Sequence, residues 1–373
     1  MENPFKYSNI VTDKAFCNRV AEQESLLSHM QQSQNVLVYA HRRKGKSSLI
    51  KQVIRNIETR KLDLGVVYVD LFGTTSEADF VKKTFNGIGR LKSSAKKLMD
   101  FLAKHFRQLP FKVGVDPVHY TPVLSFDSKV DDMEVQLQTL MDLLAKFSEQ
   151  RRLVVIYDEF QEIANYSNSD VFEKRLRSFI QQHDRISYVF SGSQRHILVE
   201  MFQSQGRAFY LQAASFPLEE IHTGDYIPWL KKLFSASRHS VSQESLGFVV
   251  ERFENHPMYI QYFCFLLWEE LQKQPWQDDM IDEIEATMIK RKQAEYQILW
   301  DSLTGNQRKV LKLVRMNNGQ NLFSAQALGS VEIKTASVVT QCLNVLCSKE
   351  VLVKNGNYRI QDLLLGKWVG RLI

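Results

Sequence analysis

The stretch Asn35-Val-Leu-Val-Tyr-Ala-His-Arg-Arg-Lys-Gly-Lys-Ser47 decides the fold. Its short apolar, β-branched run up to Ala40 is typical of a buried strand. The residues from Ala40 to Ser47 fit the pattern G-x-x-x-x-G-K-[ST], with alanine at the first position. The apolar residues that follow recur at helical spacing: Leu49, Ile50, Val53 and Ile54. A strand, a glycine-containing turn and a helix in this order predict a phosphate-binding loop.

The loop carries the groups that bind an anionic phosphate. Backbone N–H groups of the turn and of the helix N-terminus can surround it, and Gly45 lets the backbone come close. Lys46 is expected to reach the β- and γ-phosphates, and Ser47 to offer its hydroxyl to Mg²⁺. Ala40 departs from the pattern, because a first-position glycine often has a positive φ that a Cβ makes costly. We expect nucleotide contacts from Ala40, His41, Arg42, Arg43, Lys44, Gly45, Lys46, Ser47 and Ser48.

A second apolar run, Leu153 to Tyr157, ends in two carboxylates, Asp158 and Glu159. Alone, this pattern could be an ordinary strand with a solvated end. Downstream of a phosphate loop it predicts a Walker B strand, in which Asp158 holds the Mg²⁺ and Glu159 polarises the attacking water. Two motifs in the expected order predict a site for a nucleoside triphosphate.

Two more apolar runs, Gly65–Asp70 and Ile186–Phe190, alternate with helical stretches. This alternation predicts an α/β fold with a parallel sheet covered by helices on both faces. We place this domain at residues 1–217. Residues 89–132 interrupt the pattern with a basic helix (92–107) and a strand-like stretch (109–126), which predict an inserted hairpin. Residues 218–301 are helical in pattern and predict a small helical domain, and residues 302–373 a third domain.

Composition excludes several classes of protein. With 373 residues, 44% hydrophobic and 24% charged, the chain is neither disordered nor collagen-like. Four scattered cysteines and nine dispersed histidines show no disulfide framework and no zinc-binding spacing. We found no signal sequence and no apolar stretch of membrane-spanning length, so we expect a cytoplasmic protein without membrane contact.

The net charge of +6 is unevenly placed. Residues 302–373 contain ten basic and three acidic side chains, whereas the rest of the chain is nearly neutral. This basic tail is either a nucleic-acid footprint or a solvated surface. Thr304 predicts the N-cap of a helix at 307–316, and Asn355-Gly356 between two apolar runs predicts a hairpin.

Together these motifs resemble the archaeal-type ATPase family, P-loop proteins close to the AAA+ and STAND ATPases. The resemblance covers nearly the whole chain and rests on five further segments. They are Asn3-Pro-Phe5 with Phe16-Cys-Asn-Arg19-x-x-Glu22, the loop His41-Arg-Arg-x-Gly-Lys-Ser47, Ser191-Gly-Ser193, Gly206-Arg-Ala208 with Pro217-Leu218, and Asn255-His-Pro257 with Tyr259 and Gln261. Asn255 replaces the family's usual glycine, and asparagine tolerates the left-handed conformation that such a turn needs.

The resemblance implies roles for individual residues. Phe16 and Arg19 would lie against the adenine, and Pro257 would shape a helical lid, although a proline is also common at the first position of a helix. Ser193 would be the sensor of the γ-phosphate or simply a turn serine. Arg207 would be an arginine finger, in its own subunit or a neighbouring one, or else a surface arginine.

The resemblance also identifies the tail as a winged helix, with helices at 307–316, 324–328 and 334–347 and a wing at 351–360. In DNA-binding examples the third helix enters the major groove and the wing touches the backbone. Lys334, Thr340, Lys354 and Arg359 are suitable contacts for double-stranded DNA. The alternative is an intramolecular lever that responds to the nucleotide.

Two functional hypotheses follow. The first is an ATP-hydrolysing molecular switch that uses ATP and Mg²⁺ and couples them to the winged helix, with self-association or a protein partner as further expectations. The second is a DNA-binding regulator in which ATP is mainly a structural or regulatory ligand. The absence of an N-K-x-D guanine motif, together with the family resemblance, favours ATP over GTP.

Overall fold

The computed structural model describes residues 2–91, 95–105, 111–115, 122–126 and 132–373. The chain forms two compact units. One comprises Lys6–Trp229 and Asn255–Met258, and the other comprises Met1–Phe5, Leu230–Glu254 and Tyr259–Ile373. These units do not separate the helical segment from the basic tail, and the domain boundaries at 217 and 301 stay predictions.

Nine strands are present in the described residues. They are β1 (Val36–Tyr39), β2 (Leu64–Asp70), β3 (Phe111–Val115), β4 (Pro122–Phe126), β5 (Arg152–Asp158), β6 (Ile186–Gly192), β7 (Ala214–Pro217), β8 (Leu352–Asn355) and β9 (Asn357–Ile360). Five of them form a parallel sheet in the order β2-β5-β6-β1-β7. The predicted α/β class with its parallel sheet is confirmed. Strand β6 lies between β1 and β5, so its end is next to both predicted motifs.

Helices surround the sheet and make up most of the second unit. They are α1 (Val20–Gln31), α2 (Lys46–Thr59), α3 (Glu77–Gly89), α4 (Ala95–His105), α5 (Met133–Gln150), α6 (Ser169–Ile180), α7 (Arg195–Gln203), α8 (Thr223–Ala236), α9 (Gln243–Arg252), α10 (Pro257–Leu271), α11 (Met280–Ser302), α12 (Gly305–Met316), α13 (Ala325–Ser330), α14 (Ala336–Ser348) and α15 (Leu363–Gly370). Short 3₁₀ helices span Asp13–Ala15 and Phe160–Asn165.

The sheet has an apolar core on each face, which explains why its strands are continuously apolar. Alternate residues of β5 enter different cores, because successive side chains of a strand point to opposite faces. Val154 and Ile156 pack in the cluster that contains Ile50 of α2. Val155 and Tyr157 pack in the other cluster, which is rich in aromatic rings. Both faces of the sheet are therefore buried, as expected of parallel sheets.

The segment between α3 and α5 contains the antiparallel pair β3 and β4. The sequence predicted a hairpin here, and the paired strands confirm it. Residues 92–94, 106–110, 116–121 and 127–131 of the predicted insertion lie outside the described residues. Its limits at 89 and 132 stay predictions.

The second unit ends in a winged helix, as predicted. Thr304 caps α12 with a capping box: its side chain accepts from the backbone N–H of Gln307, whose side chain bonds back. Strands β8 and β9 form the wing, with Gly356 at a positive φ of +72° between them. Helix α15 was not predicted from the sequence. Its N-cap, Asp362, accepts hydrogen bonds from the backbone N–H of Leu365 and from the hydroxyl of Tyr296 on α11.

Candidate nucleotide-binding site

The predicted phosphate loop joins β1 to α2 at the carboxyl edge of the sheet. Gly45 is the N-cap of α2 and has a φ of +92°. A Cβ at Gly45 would meet no atom within 4 Å, so its conformation rather than space requires glycine. Because α2 begins directly after Gly45, the backbone N–H groups of its first turn are available to bind an anion.

Ala40 causes no backbone strain. The residues of this loop with positive φ are Arg43 and Gly45. Ala40 is 5% exposed, and its carbonyl accepts a hydrogen bond of 3.4 Å from Nζ of Lys46. The expectation that a Cβ at position 40 would be costly is wrong, because this loop makes its left-handed turns elsewhere.

Lys46 is 6% exposed and lies among carboxylates. Burial lowers the pKa of its ammonium, while Glu159 and Asp158 act to raise it. Burying an ammonium is unfavourable unless opposite charge is close. A buried lysine therefore lies beside two carboxyl groups, in surroundings where a charged ligand interacts more strongly than in water.

Asp158 is the meeting point of the two motifs. Its Oδ2 accepts a hydrogen bond of 2.9 Å from Oγ of Ser47 and one of 2.7 Å from the hydroxyl of Tyr68 on β2. The side chain is almost completely buried, at 4% exposure. A hydroxyl and a carboxylate in contact are hard oxygen donors of the kind that Mg²⁺ binds, so the residues present fit this ion.

Tyr68 was not identified from the sequence. Burial raises the pKa of its phenol, and the nearby carboxylate of Asp158 adds to the effect. Nζ of Lys51, on the same helix as Ser47, lies 3.0 Å from the centre of the Tyr68 ring. Both effects favour the protonated phenol, which is the form that donates to Asp158.

Glu159 is held by three hydrogen bonds that converge on its Oε2. They come from the backbone N–H of Ser193 (3.2 Å), Oγ of Ser193 (2.8 Å) and Nε2 of Gln161 (2.6 Å). Glu159 itself has a φ of +53°, which is unusual for a residue with a side chain. The structure thus brings Ser193, at the end of β6, to the carboxylate after β5. Gln161 was missed by sequence reasoning; a polar residue two positions after Glu159 was the available signal.

Arg19 is a buried residue that contacts the backbone of the phosphate loop. It is 3% exposed, and its guanidinium contacts Glu22, the carbonyl of Lys44 (3.5 Å) and the carbonyl of Glu219 (2.8 Å). Lys44 in turn forms an ion pair of 2.8 Å with Glu220. Phe16 packs at the edge of the core beneath α2. Contact of Phe16 and Arg19 with adenine stays a prediction.

The segment Asn255–Met258 belongs to the unit that contains the phosphate loop. Asn255 has a φ of +54°, so asparagine does occupy the left-handed turn predicted for it. Its carbonyl accepts from the hydroxyl of Tyr226, and Pro257 is the first residue of α10. Burial, with Lys44 and Arg43 nearby, lowers the pKa of His256 to about 3. His256 is therefore neutral beside the basic loop.

Arg207 lies in an ion pair within this unit. Its guanidinium contacts Glu173 at 2.7 Å and Glu200 at 3.5 Å. The Glu173 side chain is 1% exposed, and burial raises its pKa although Arg207 acts to lower it. Arg207, which was predicted to be catalytic, is thus paired with the carboxylate of Glu173 on α6. Its role as a finger stays a prediction.

The remaining loop residues have separate environments. Ser48 accepts a hydrogen bond of 3.1 Å from the backbone of Val11. Burial and three basic neighbours lower the pKa of His41. Within the described residues no cluster of three or more metal-ligating side chains forms, and no helix is long and apolar enough to cross a membrane.

The residues of the winged helix that were predicted to contact DNA are exposed. Six polar residues on or next to α14 are exposed: Lys334, Thr335, Ser337, Thr340, Gln341 and Asn344. Lys354 on the wing is also exposed. Arg359 is exposed as well, but its guanidinium forms an ion pair with Glu254 of the same unit. Other basic residues of the tail also contact groups in this unit, Lys367 with Glu285 and Lys312 with the carbonyl of Leu372.

The sheet order, the loop before α2 and the carboxylates after β5 define a P-loop ATPase fold. A family model described as an ATPase domain predominantly from Archaea matches residues 16–222, more than half of the chain. The chain belongs to this family, as the sequence motifs indicated. A family model with the description "probable winged helix domain" matches residues 294–371. Among curated proteins, none matches this chain.

Solved structures share the fold at low sequence identity. A Walker-type ATPase of Pyrococcus abyssi has a TM-score of 0.68 and 14% identity, over 98% of this chain and 99% of that one. The ORC2 protein of Aeropyrum pernix, in ADPNP–ADP complexes, has a TM-score of 0.54 and 13% identity, over 96% and 97%. The Aeropyrum pernix ORC1 protein in complex with DNA has a TM-score of 0.50 and 11% identity, over 97% and 96%.

Proposed function

We propose that this protein binds ATP with Mg²⁺ and hydrolyses it slowly, as a nucleotide-dependent molecular switch coupled to its winged helix. The observation that carries the proposal is the contact of Ser47 with Asp158, together with that of Ser193 with Glu159. Three separate elements thereby bring a phosphate loop, a metal-binding carboxylate and a general base to one edge of the sheet. Membership of an ATPase family supports ATP as the ligand.

Each residue then has a defined task. The amides from Ala40 to Ser48 and the ammonium of Lys46 bind the phosphates, while Ser47 and Asp158 would hold Mg²⁺. When bound, the ion would neutralise negative charge on the phosphates. Glu159, fixed through Oε2, accepts a proton from the attacking water through its other oxygen.

Ser193 and Arg207 complete the proposed catalytic set. Ser193 donates to Glu159 in the structure and would link the γ-phosphate to the base. Arg207 would stabilise the charge on the transferring phosphoryl group after leaving Glu173, in this subunit or in a second copy. Phe16 and Arg19 would border the adenine, and Pro257 would shape the helical lid.

Chain connectivity supports the coupling. Helices α8 and α10 each begin in the unit that contains the phosphate loop and end in the unit that contains the winged helix. A change at Asn255–Met258 on nucleotide binding would pass directly into α10.

The test is hydrolysis and binding by the wild-type protein and by Lys46→Ala. We expect phosphate release from ATP that requires Mg²⁺, and loss of ATP binding in the variant, since the charge that faces the phosphates is removed. A control is Lys82→Ala, which removes an exposed lysine of α3. If Lys46→Ala bound ATP with the affinity of the wild-type protein, the proposal would be wrong.

DNA binding is the second candidate function, and the exposed polar face of α14 with Lys354 favours it. Phosphate contacts by lysine and arginine release counterions, so affinity for duplex DNA should fall steeply with salt. Lys354→Glu should flatten this dependence, while Lys273→Glu, an equal change outside the winged helix, should not. Because Arg359 pairs with Glu254, its reversal needs Glu254→Gln as a control. A titration with and without ATP tests both candidates; no binding to duplex DNA would remove the second.

A further inference from the structure

We propose that Gln161 is a positioning residue for the general base Glu159, and that Gly192 is required to make room for it. The inference rests on the proposed ATP hydrolysis and extends it to two residues with no assigned role. Gln161 lies in the 3₁₀ helix directly after β5 and is 1% exposed. Its Nε2 donates the shortest of the three hydrogen bonds to Oε2 of Glu159, at 2.6 Å.

The chemistry of Glu159 determines how the Gln161 amide is turned. An ionised carboxylate accepts hydrogen bonds and donates none, so the NH₂ end of the amide must face it. Oε1 of Gln161 then points toward β6. Within the described residues this buried oxygen has no hydrogen-bond partner. A buried acceptor without a partner is unfavourable, and such an atom in a native structure calls for a functional explanation.

Gly192 is where that oxygen is accommodated. A Cβ built at Gly192 would lie 1.9 Å from Oε1 of Gln161 and 3.1 Å from its Cδ. Gly192 is not among the glycines with positive φ, so space rather than backbone conformation requires glycine. Any other residue at 192 would displace the Gln161 side chain from Glu159.

The backbone of Glu159 shows why such support is needed. Its φ of +53° is unfavourable for a residue with a Cβ, and such conformations persist where surrounding contacts hold them. Ser193 and Gln161 together fix one carboxylate oxygen from two different elements, β6 and the 3₁₀ helix. The other oxygen is thereby presented in one orientation to the attacking water, which is the preorganisation that general-base catalysis needs.

The first test compares Gln161→Met with the wild-type protein. Methionine has nearly the same length as glutamine and cannot donate to Glu159. We expect kcat to fall by about 10- to 100-fold, as for loss of a hydrogen bond to a charged group, with KM and the ATP Kd unchanged. Gln138→Met, a glutamine that bonds Asp142 on the surface of α5, is the matched control and should keep wild-type kcat.

The second test asks whether Gln161 acts through Glu159. In single-turnover assays, Gln161→Met should slow the wild-type protein but add no further loss to Glu159→Gln, because residues that act as a unit are not additive. A residue that only stabilises the fold would slow both. Thermal unfolding of each variant reports whether it is folded.

Gly192→Ala provides a variant that leaves both polar residues in place. We expect it to lower kcat to the level of Gln161→Met. We also expect the double variant Gln161→Ala/Gly192→Ala to have the same kcat as Gln161→Ala, because the Gln161 side chain is then already absent. Wild-type kcat in Gln161→Met, or additive losses in both cycles, would overturn the inference while leaving ATP hydrolysis intact. A wild-type protein that hydrolyses no ATP would instead overturn the proposed function, and this inference with it.

Discussion

Oγ of Ser47 donates a 2.9 Å hydrogen bond to Oδ2 of Asp158, although the two residues are 111 positions apart in the chain. Ser47 lies in the first turn of α2, directly after the phosphate loop, and Asp158 ends β5. Parallel strands present their carboxyl ends at one edge of a sheet, and this is where ligands bind in open α/β folds. The contact therefore joins two sequence motifs into one site.

Replacing Asp158 should separate metal binding from nucleotide binding. In Asp158→Asn the side chain keeps its size but loses its charge, so we expect ATP affinity in Mg²⁺ to fall by at least about tenfold. Affinity measured in a chelator should be unchanged. Asp70→Asn, at the end of the neighbouring strand β2, is the control and should behave as wild type. Equal loss with and without Mg²⁺ would contradict the metal role of Asp158.

Tyr68 should contribute to the stability of the site. Its hydroxyl donates to the buried carboxylate of Asp158 at 2.7 Å, and Tyr68→Phe leaves that oxygen with one donor fewer. We expect the free energy of unfolding to fall by about 1.5–3 kcal/mol, as for hydrogen bonds to charged groups. Chemical denaturation without nucleotide measures it. An unchanged midpoint would show that the hydroxyl bond adds nothing.

The stability difference between the wild-type protein and Arg207→Gln should depend on pH, because the variant removes the partner of the buried Glu173. Glu173 is buried, so in Arg207→Gln it is a charge without its main partner, and we expect a loss of about 1–3 kcal/mol at neutral pH. Burial raises the pKa of Glu173, and the variant raises it further. Protonation at acid pH removes the charge, so the difference from wild type should narrow as pH falls toward the ordinary carboxyl pKa. A difference that is constant with pH would contradict this account.

His256 should weaken the protein in acid. Its pKa of about 3 in the folded state is below the ordinary value of 6.5, so the unfolded chain binds the extra proton between these values. Stability at neutral pH is unaffected, and it falls as pH drops below 6.5 by about 1.4 kcal/mol per pH unit. His256→Asn should be less sensitive to acid than wild type in thermal unfolding across this range. Parallel pH curves for the two proteins would show that His256 is accessible to protons in the fold.

The sequence predicted the parts of the fold that have a local signal. The apolar runs at β1, β2, β5 and β6 are continuous because both faces of the sheet are buried. Strand β7 has no such run: it is four residues long, partly exposed and ends in Pro217. Helix α15 was also missed, since it is short and follows the wing directly.

The site was predictable to the extent that its residues belong to contiguous motifs. Tyr68 contacts Asp158 because β2 lies next to β5 in the sheet, and Gln161 contacts Glu159 because the chain turns back after β5. No local sequence pattern specifies either contact. The expectation for Ala40 was wrong for a related reason, because the path of the loop places its left-handed residues at Arg43 and Gly45.

The most direct test of ATP hydrolysis with Glu159 as the general base is the identity of the nucleotide that remains bound to Glu159→Gln. Wild-type protein and variant are incubated with ATP and Mg²⁺, freed of unbound nucleotide, and the bound nucleotide is identified over time. The account predicts ADP on the wild-type protein and intact ATP on the variant, because the amide cannot accept a proton from water while the phosphate loop and Asp158 are unchanged. ADP forming on Glu159→Gln at the wild-type rate would contradict it.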